Sequence, residues 1–342
     1  MKKLLALLLA LVMVFALFAG CAPKSEDPAV DENPAADDEK PADDEKPADD
    51  GEQKKWRIGF SMDFTTNVWR AVMLEKLEEA AAAHSDEIEL IVTNANADTN
   101  KQISDVEDLM TQDIDLLIIT PYVSEPLTPI IEEVYDSGIP VVVIDHTIES
   151  EKYTTFIGAS NSQIGTKAGE LIVELLPDGG NVVELAGTPG MSATIDRGDV
   201  MHGVVDSHDN INFIATVNAE YDQSKAMAAM EDILQSNDPE DIDLIYAYND
   251  GMALGARQAL DDAGYADLDV KIISIDAQRK TMENIMAGTM YGTFTYPWPS
   301  EQAIETALEI LSGKTVEKYI ELESVLVTAE NVDQYYDPTS DY

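Results

Sequence analysis

The chain has 342 residues, of which 66 are acidic and 21 basic, for a formal charge of −45. A surface this negative repels phosphate backbones and anionic headgroups, which excludes nucleic acid as a partner and obliges any anionic ligand to find local basic groups. The single cysteine, Cys21, allows no disulfide within the chain, so apolar burial has to carry stability.

The chain opens with positive charge at Lys2 and Lys3, followed by an unbroken apolar or small stretch from Leu4 to Gly20, a signal-peptide pattern. That stretch falls short of the about 20 apolar residues of a permanent span. Phe18-Ala19-Gly20 directly before Cys21 resembles the lipobox of bacterial lipoproteins, with Phe18 in place of the usual leucine. The resemblance implies that residues 1–20 are removed as a signal peptide. Cys21 would then become an acylated, palmitate-bearing first residue that anchors the protein to the outer face of the membrane. An uncleaved anchor helix is the alternative, and with either the rest of the chain is extracytoplasmic. Residues 21–55 have almost no apolar bulk and repeat PADDEK. Proline and like charges keep such a segment extended and disordered, so it reads as an acidic tether.

From Trp56 onward, short apolar runs alternate with segments of helical period. Strands are expected at Arg57 to Ser61, Ile88 to Val92, Leu116 to Thr120, Val141 to Asp145, Val182 to Ala186, Phe213 to Val217, Leu244 to Tyr248, Lys271 to Ile275 and Gly292 to Tyr296. Helices are expected at Val68 to His84, Ile164 to Leu175, Ser224 to Gln235 and Gly251 to Ala263. The alternation predicts an α/β protein of doubly wound parallel sheets. Its length divides into two lobes, because single cores stop growing near about 250 to 300 residues.

Ligands of such sheets sit beyond the carboxyl ends of the strands. At those ends stand Asp63 and Asn67, Asp145 and His146, Asn249 and Asp250, and Asp276. Each alone reads as a helix cap, and for Asp250 capping and ligand roles weigh equally. Their recurrence along one edge points to recognition of hydroxyl groups, since carboxylates and amides each engage two neighbouring hydroxyls. Trp69, Tyr221 and Tyr296 lie in the same loops, and flat aromatic walls suit the C–H faces of a sugar ring.

Other chemistries fail on spacing. Gly158 to Lys167 lacks the GK[ST] ending of a phosphate loop. His202 and Asp206 share a helix face but lack further metal ligands. Asp98, Asn100 and Gln102 begin like a calcium loop, yet Ile103 and Leu109 stand where Gly and Glu are needed. No nucleophile-elbow motif accompanies the serines and histidines. No cofactor, metal or catalytic residue is expected, and the protein is not expected to be an enzyme.

IGFSMDFTTNVWR from Ile58, DLLIITP from Asp115, IPVVVIDH from Ile139, GASNSQIGTKAGE from Gly158, VVELAGTPGMSATIDRG from Val182, YNDGMALGARQAL from Tyr248 and SIDAQ from Ser274 occur in this order. Together they resemble the type 1 periplasmic sugar-binding proteins related to the ribose- and galactofuranose-binding proteins. The resemblance implies two lobes joined by a three-strand hinge: residues 56–159 plus 297–323 in the first, 160–296 plus 324–342 in the second. It implies a small sugar, expected to be a monosaccharide, in the cleft between them. The implied ligand residues are Asp63, Asn67, Trp69, Arg70, Asp145 and His146 from the first lobe, and Arg197, Tyr221, Asn249 and Asp276 from the second, with Tyr296 near the hinge. His146 and Ile195 stand where ribose-type members carry arginine, and Arg197 follows two residues later. TIDRG and the Trp69-Arg70 pair look more like the galactofuranose-type branch, which leaves the sugar open. Arg70 also suits an acidic or phosphorylated sugar, against the field of the negative body.

The function so implied is that of a substrate-binding lipoprotein of an ABC importer, monomeric, with the permease subunits as partners. A ligand sensor for a chemoreceptor or sensor kinase is the alternative, and an extracellular sugar-acting enzyme the outsider. Cys21→Ala is expected to release the protein from the membrane on fractionation; retention of the variant would contradict acylation at Cys21.

Overall fold

The computed structural model describes residues 54–340 and 342. The expected signal peptide, Cys21 and all of the expected tether except Lys54 and Lys55 lie outside the described residues. No helix among the described residues is long and apolar enough to cross a membrane.

The first sheet is built from β1 (Trp56–Met62), β2 (Ile88–Asn94), β3 (Leu116–Ile119), β4 (Val141–Ile144) and β5 (Thr155–Ala159), with α1 (Val68–Ala83), α2 (Thr99–Thr111) and α3 (Ser124–Asp136) between strands. The second repeats the plan. It holds β6 (Gly180–Ala186), β7 (Ile211–Asn218), β8 (Leu244–Ala247), β9 (Lys271–Asp276) and β10 (Gly292–Thr295), with α4 (Asn161–Leu175), α5 (Ser192–Val205), α6 (Gln223–Ser236), α7 (Asp250–Asp262) and α8 (Arg279–Ala287) around them. The last elements are α9 (Ser300–Leu311), β11 (Tyr319–Leu322) and β12 (Leu326–Thr328). The sheet orders are β11-β5-β4-β3-β1-β2 and β12-β10-β9-β8-β6-β7, so each lobe reverses direction at its first strand, between β1 and β3 or between β6 and β8. Ligand crevices of open α/β sheets form at such reversals.

Leu116–Ile119 and Val141–Ile144 are buried throughout, as parallel strands covered by helices on both faces must be. All neighbouring pairs are parallel except β10 with β12. The chain passes between sheets three times, after β5, after β10 and between β11 and β12. The strands expected from sequence all form; β5, β11 and β12 were not among them. Helix starts follow local chemistry: Asn67, Asp98, Ser160 and Asn249 each accept a backbone N–H of the first turn and so cap α1, α2, α4 and α7.

Asp250 opens α7 but does not cap it. Fully buried, it accepts hydrogen bonds from the Ser274 and Thr293 hydroxyls at one oxygen and from the Gln278 N–H (2.6 Å) at the other, tying α7 to β9, β10 and the start of α8. Removing it strands two buried hydroxyls and one half-buried N–H. Asp250→Ala is expected to cost about 1–3 kcal/mol or more of stability, read as a lower melting temperature; an unchanged melting curve would show that the cross-tie contributes nothing.

Candidate functional site

The cleft between the two sheets is lined by the loops that leave their strand ends. Asn67 caps α1 through the Arg70 N–H (2.8 Å), and the first turn of that helix then turns Trp69 and Arg70 into the interior, where both are buried. The Arg70 guanidinium is the centre of the first-lobe half. One of its terminal nitrogens pairs with Asp145, and the other lies 3.1 Å from Asp63 and 3.0 Å from His146 Nε2. Burial works against the Arg70 charge, but Asp145 and Asp63 outweigh it and raise the pKa. The aromatic faces of Trp69 and Phe64 flank the guanidinium at 5.0 and 5.3 Å.

The acids around Arg70 differ in state. Burial pushes the Asp63 carboxyl up to about 7 despite Arg70, and its Oδ2, although at ion-pair distance, is out of line for a hydrogen bond. For Asp145, burial is outweighed by Arg70, His146 and the Tyr296 hydroxyl, and the pKa falls below the usual carboxylate value. His146 is held neutral: burial, helped by Arg70 and opposed by Asp145, pushes its pKa down to about 4. Its Nδ1 lies 3.1 Å from the Pro121 carbonyl, which can only accept, so Nδ1 carries the proton and Nε2 accepts from Arg70.

The second-lobe half centres on Arg197, on α5. Its Nε donates to Asn161 Oδ1 (2.8 Å) and Nη1 to the Tyr248 carbonyl, while Nη2 has no hydrogen-bond partner among the described residues. Its guanidinium lies 4.7 Å from the centroid of the Tyr296 ring and 5.9 Å from that of Tyr221. Tyr221 lies against Gly187, where a Cβ would come within 2.1 Å of the ring, and its hydroxyl meets Thr194 at 2.9 Å. Asn249 uses Oδ1 to cap α7, leaving its NH₂, 3.5 Å from the Tyr221 carbonyl, for the cavity.

Tyr296 joins the halves. Its hydroxyl donates to Asp145 (2.7 Å) and accepts from Asn161 (3.1 Å), its carbonyl accepts from the Trp69 indole (2.9 Å), and its ring packs on Trp69 at 5.2 Å. Asp276 differs from all of these. It is buried, yet its carboxylate makes no side-chain hydrogen bond among the described residues, and burial together with Asp250 drives its pKa well above normal, with Arg197 opposing. It does not cap α8 either: the cap position is Gln278, with no side-chain cap bond, and the Gln278 N–H is taken by Asp250. Asp145, Tyr221 and Asp276 hold positive φ angles of 64°, 58° and 130°. Non-glycine residues pay about 1–3 kcal/mol each for such backbone, which concentrates where side chains must be aimed.

Every ligand residue implied by the resemblance except Asp63 lines one narrow cavity of about 30 Å³; Asp63 stands behind Arg70, and the strand-end candidate Asp250 does not line the cavity. The cavity opens past Phe64, Asn67, Tyr221 and Asn249 into a mouth of about 320 Å³. Phe64, Ala193 and Asn161 were not anticipated. The first two line the cavity, and Asn161 ties Arg197 to Tyr296. Asn161 also follows a strand end, β5, which is the signal that would have found it. Ile195 is largely exposed, and Arg197 supplies the inward arginine of α5. His202 turns its Nε2 to Glu184 (3.1 Å), and no cluster of three or more potential metal ligands occurs among the described residues.

Two lobes of one topology, closing polar and aromatic side chains around a crevice at their strand ends, define a two-lobed ligand-binding protein. The periplasmic binding protein domain matches residues 58–315, and the chain belongs to that family. It is 32% identical over 272 residues to the ribose import binding protein RbsB of Bacillus subtilis, covering 79% of this chain and 86% of that one. An ABC transporter solute-binding protein from Bacillus halodurans, solved with bound myo-inositol, superposes with a TM-score of 0.78 at 29% identity, over 83% of this chain and 98% of that one. The fructose-binding periplasmic domain of a hybrid two-component system does so with a TM-score of 0.76 at 31% identity, over 82% and 93%.

Asp276→Ala is expected to weaken ligand binding by about 2–5 kcal/mol, roughly 30-fold to several thousand-fold, with little change in melting temperature. Near-normal affinity in calorimetric titration, together with a lowered melting temperature, would assign Asp276 to the fold instead.

Proposed function

We propose that this chain is an extracytoplasmic receptor that binds one small neutral sugar between its lobes and delivers it to an ABC-type importer. The observation that carries this reading is the cavity of about 30 Å³ at which side chains of both lobes converge. Trp69, Tyr221 and Tyr296 supply aromatic faces, and Asp276, Arg197 and the amides of Asn67 and Asn249 supply acceptors and donors with bonding capacity to spare. That is the complement of a ring with apolar faces and a hydroxyl rim. The family is one of binding proteins, and nothing in the site calls for bond-breaking chemistry.

The charge balance favours a neutral ligand. The Arg70 charge is already met by Asp145 and Asp63 through its terminal nitrogens, so a carboxylate or phosphate there would find no uncompensated cation, even though Nε has no hydrogen-bond partner among the described residues. In this reading Arg70, Asp145 and His146 present a fixed polar wall, Arg197 and Asp276 engage hydroxyls from the opposite lobe, and Asp63 acts through Arg70. About 30 Å³ is far below the ≈300–1,000 Å³ of ligand pockets, so the sugar enters when the lobes part and is held when they meet. Residues 56–159 with 297–323 move as one lobe and 160–296 with 324–342 as the other. Cys21 bears the acyl anchor, residues 22–55 are the tether, and the receptor works as a monomer. The similarity to the periplasmic domain of a two-component system supports a second reading, in which the sugar-bound form signals to a membrane receptor.

A thermal-shift panel of neutral pentoses and hexoses, polyols and sugar acids tests the ligand class, because a ligand bound only by the native state raises apparent stability by RT ln(1 + [L]/Kd). One or a few neutral sugars are expected to raise the melting temperature; a shift with sugar acids alone would overturn the charge argument.

A further inference from the structure

The lobes also meet away from the cavity. The Thr147 N–H, in the loop after β4, donates to Ser192 Oγ at 2.8 Å, and the Ser124 N–H donates to the Gly190 carbonyl at 3.2 Å. Ser124 Oγ donates in turn to the Thr147 carbonyl at 2.7 Å, binding the two first-lobe donors into one unit. Ser124 and Thr147 belong with the first sheet, Gly190 with the loop between β6 and α5, and Ser192 with the start of α5. Ser124 and Ser192 are buried, and none of the four lines the cavity or its mouth.

Two features mark this contact as more than lobes brushing together. Helix α3 has no side-chain cap, so the N–H of Ser124, its first residue, is one of the unsatisfied donors of that helix end, and its partner is a carbonyl of the other lobe. Gly190 has φ +82°, and a Cβ there would come within 2.9 Å of Val123 Cγ1, so the approach of the two loops depends on a position without a side chain. Ser192 is the first residue of α5, whose next residues include Ala193 and Arg197 of the cavity. The contact therefore rests on the helix that carries the second-lobe arginine.

We propose that Ser192, with Gly190, forms a latch that holds the lobes together independently of which ligand lies between them, so that Ser192 sets affinity without touching the ligand. The proposal rests on the reading of the cleft as a sugar site that closes. When the lobes part, both N–H donors exchange these partners for water, so the latch contributes only to the closed state. A protein whose binding-competent form is a fraction f of the population binds with an apparent Kd of the intrinsic Kd divided by f. Weakening the latch lowers f for every ligand by one factor. A side chain that touches the ligand would instead change different ligands by different factors.

The test uses the soluble chain without its lipid anchor, with one spin label on an exposed site of each lobe, as wild type, Ser192→Ala and Gly190→Ala. Interlobe distances are measured without sugar, and Kd and dissociation rates with two neutral sugars that bind wild type. Ser192→Ala is expected to shift the sugar-free distance distribution outward and to weaken both sugars by one common factor of about 2- to 12-fold, the equivalent of one net hydrogen bond, with faster dissociation. Gly190→Ala, which wedges Val123 away, is expected to do the same more strongly, with circular dichroism verifying its fold. Unchanged distances and affinities in Ser192→Ala, or a loss that differs between the sugars, would overturn the latch. Wild type that binds no sugar would fail the functional reading instead, while the sugar-free distances still decide the latch.

Discussion

The site is organised by the cost of burying Arg70. A guanidinium out of water is tolerable only when paired and hydrogen-bonded, and here two carboxylates, a neutral histidine and two aromatic faces surround it. The consequences spread outward. Asp145 is kept ionised and so accepts from Tyr296; His146 is kept neutral and so accepts from Arg70. Tyr296 follows β10 of the other sheet, which carries the order imposed by Arg70 to the hinge and, through Asn161, to Arg197. Arg70 and Arg197 are thus linked by one chain of hydrogen bonds through a single tyrosine.

That chain separates framework from recognition. Groups whose charges are paired within the wall, above all Arg70 and Asp145, fix the shape of the first-lobe wall. Groups left with capacity, Asp276, one nitrogen of Arg197 and the amide nitrogens of Asn67 and Asn249, lie largely on the second lobe. A ligand held this way completes its bonds only when the lobes meet, so it binds the closed form better than the open one, and that differential affinity is what drives closure. The acidic surface bears on ligand class in the same direction, since neither it nor the charge-paired Arg70 favours an anion.

Much of this was legible in the sequence because strand, turn and helix alternate with clear punctuation. Parallel strands buried on both faces read as short apolar runs, and a polar residue after each marks the crevice edge; Asp63, Asp145, Asn249 and Asp276 were found that way. What stayed hidden is instructive. β11 (YIEL) is an edge strand with alternating exposure and β12 has three residues, so neither has the apolar run that marks a buried strand. β5 (TFIGA) is short and ends at Ala159, and without it Asn161 had no strand end to be read from. Whether Asp276 caps α8 or faces a ligand turns on a distant event, the capture of the Gln278 N–H by Asp250, which local pattern cannot register. Amide roles were entangled for a simpler reason: Asn67 and Asn249 cap helices with their oxygens and keep their nitrogens for the cavity, so the two readings were never exclusive.

A sugar bound between the lobes is expected to draw them together. Small-angle X-ray scattering of the soluble chain, alone and saturated with a sugar identified by thermal shift, tests it most directly. A smaller radius of gyration and a shorter maximum dimension are expected in the saturated sample. Superimposable profiles for a protein shown to be saturated would contradict it.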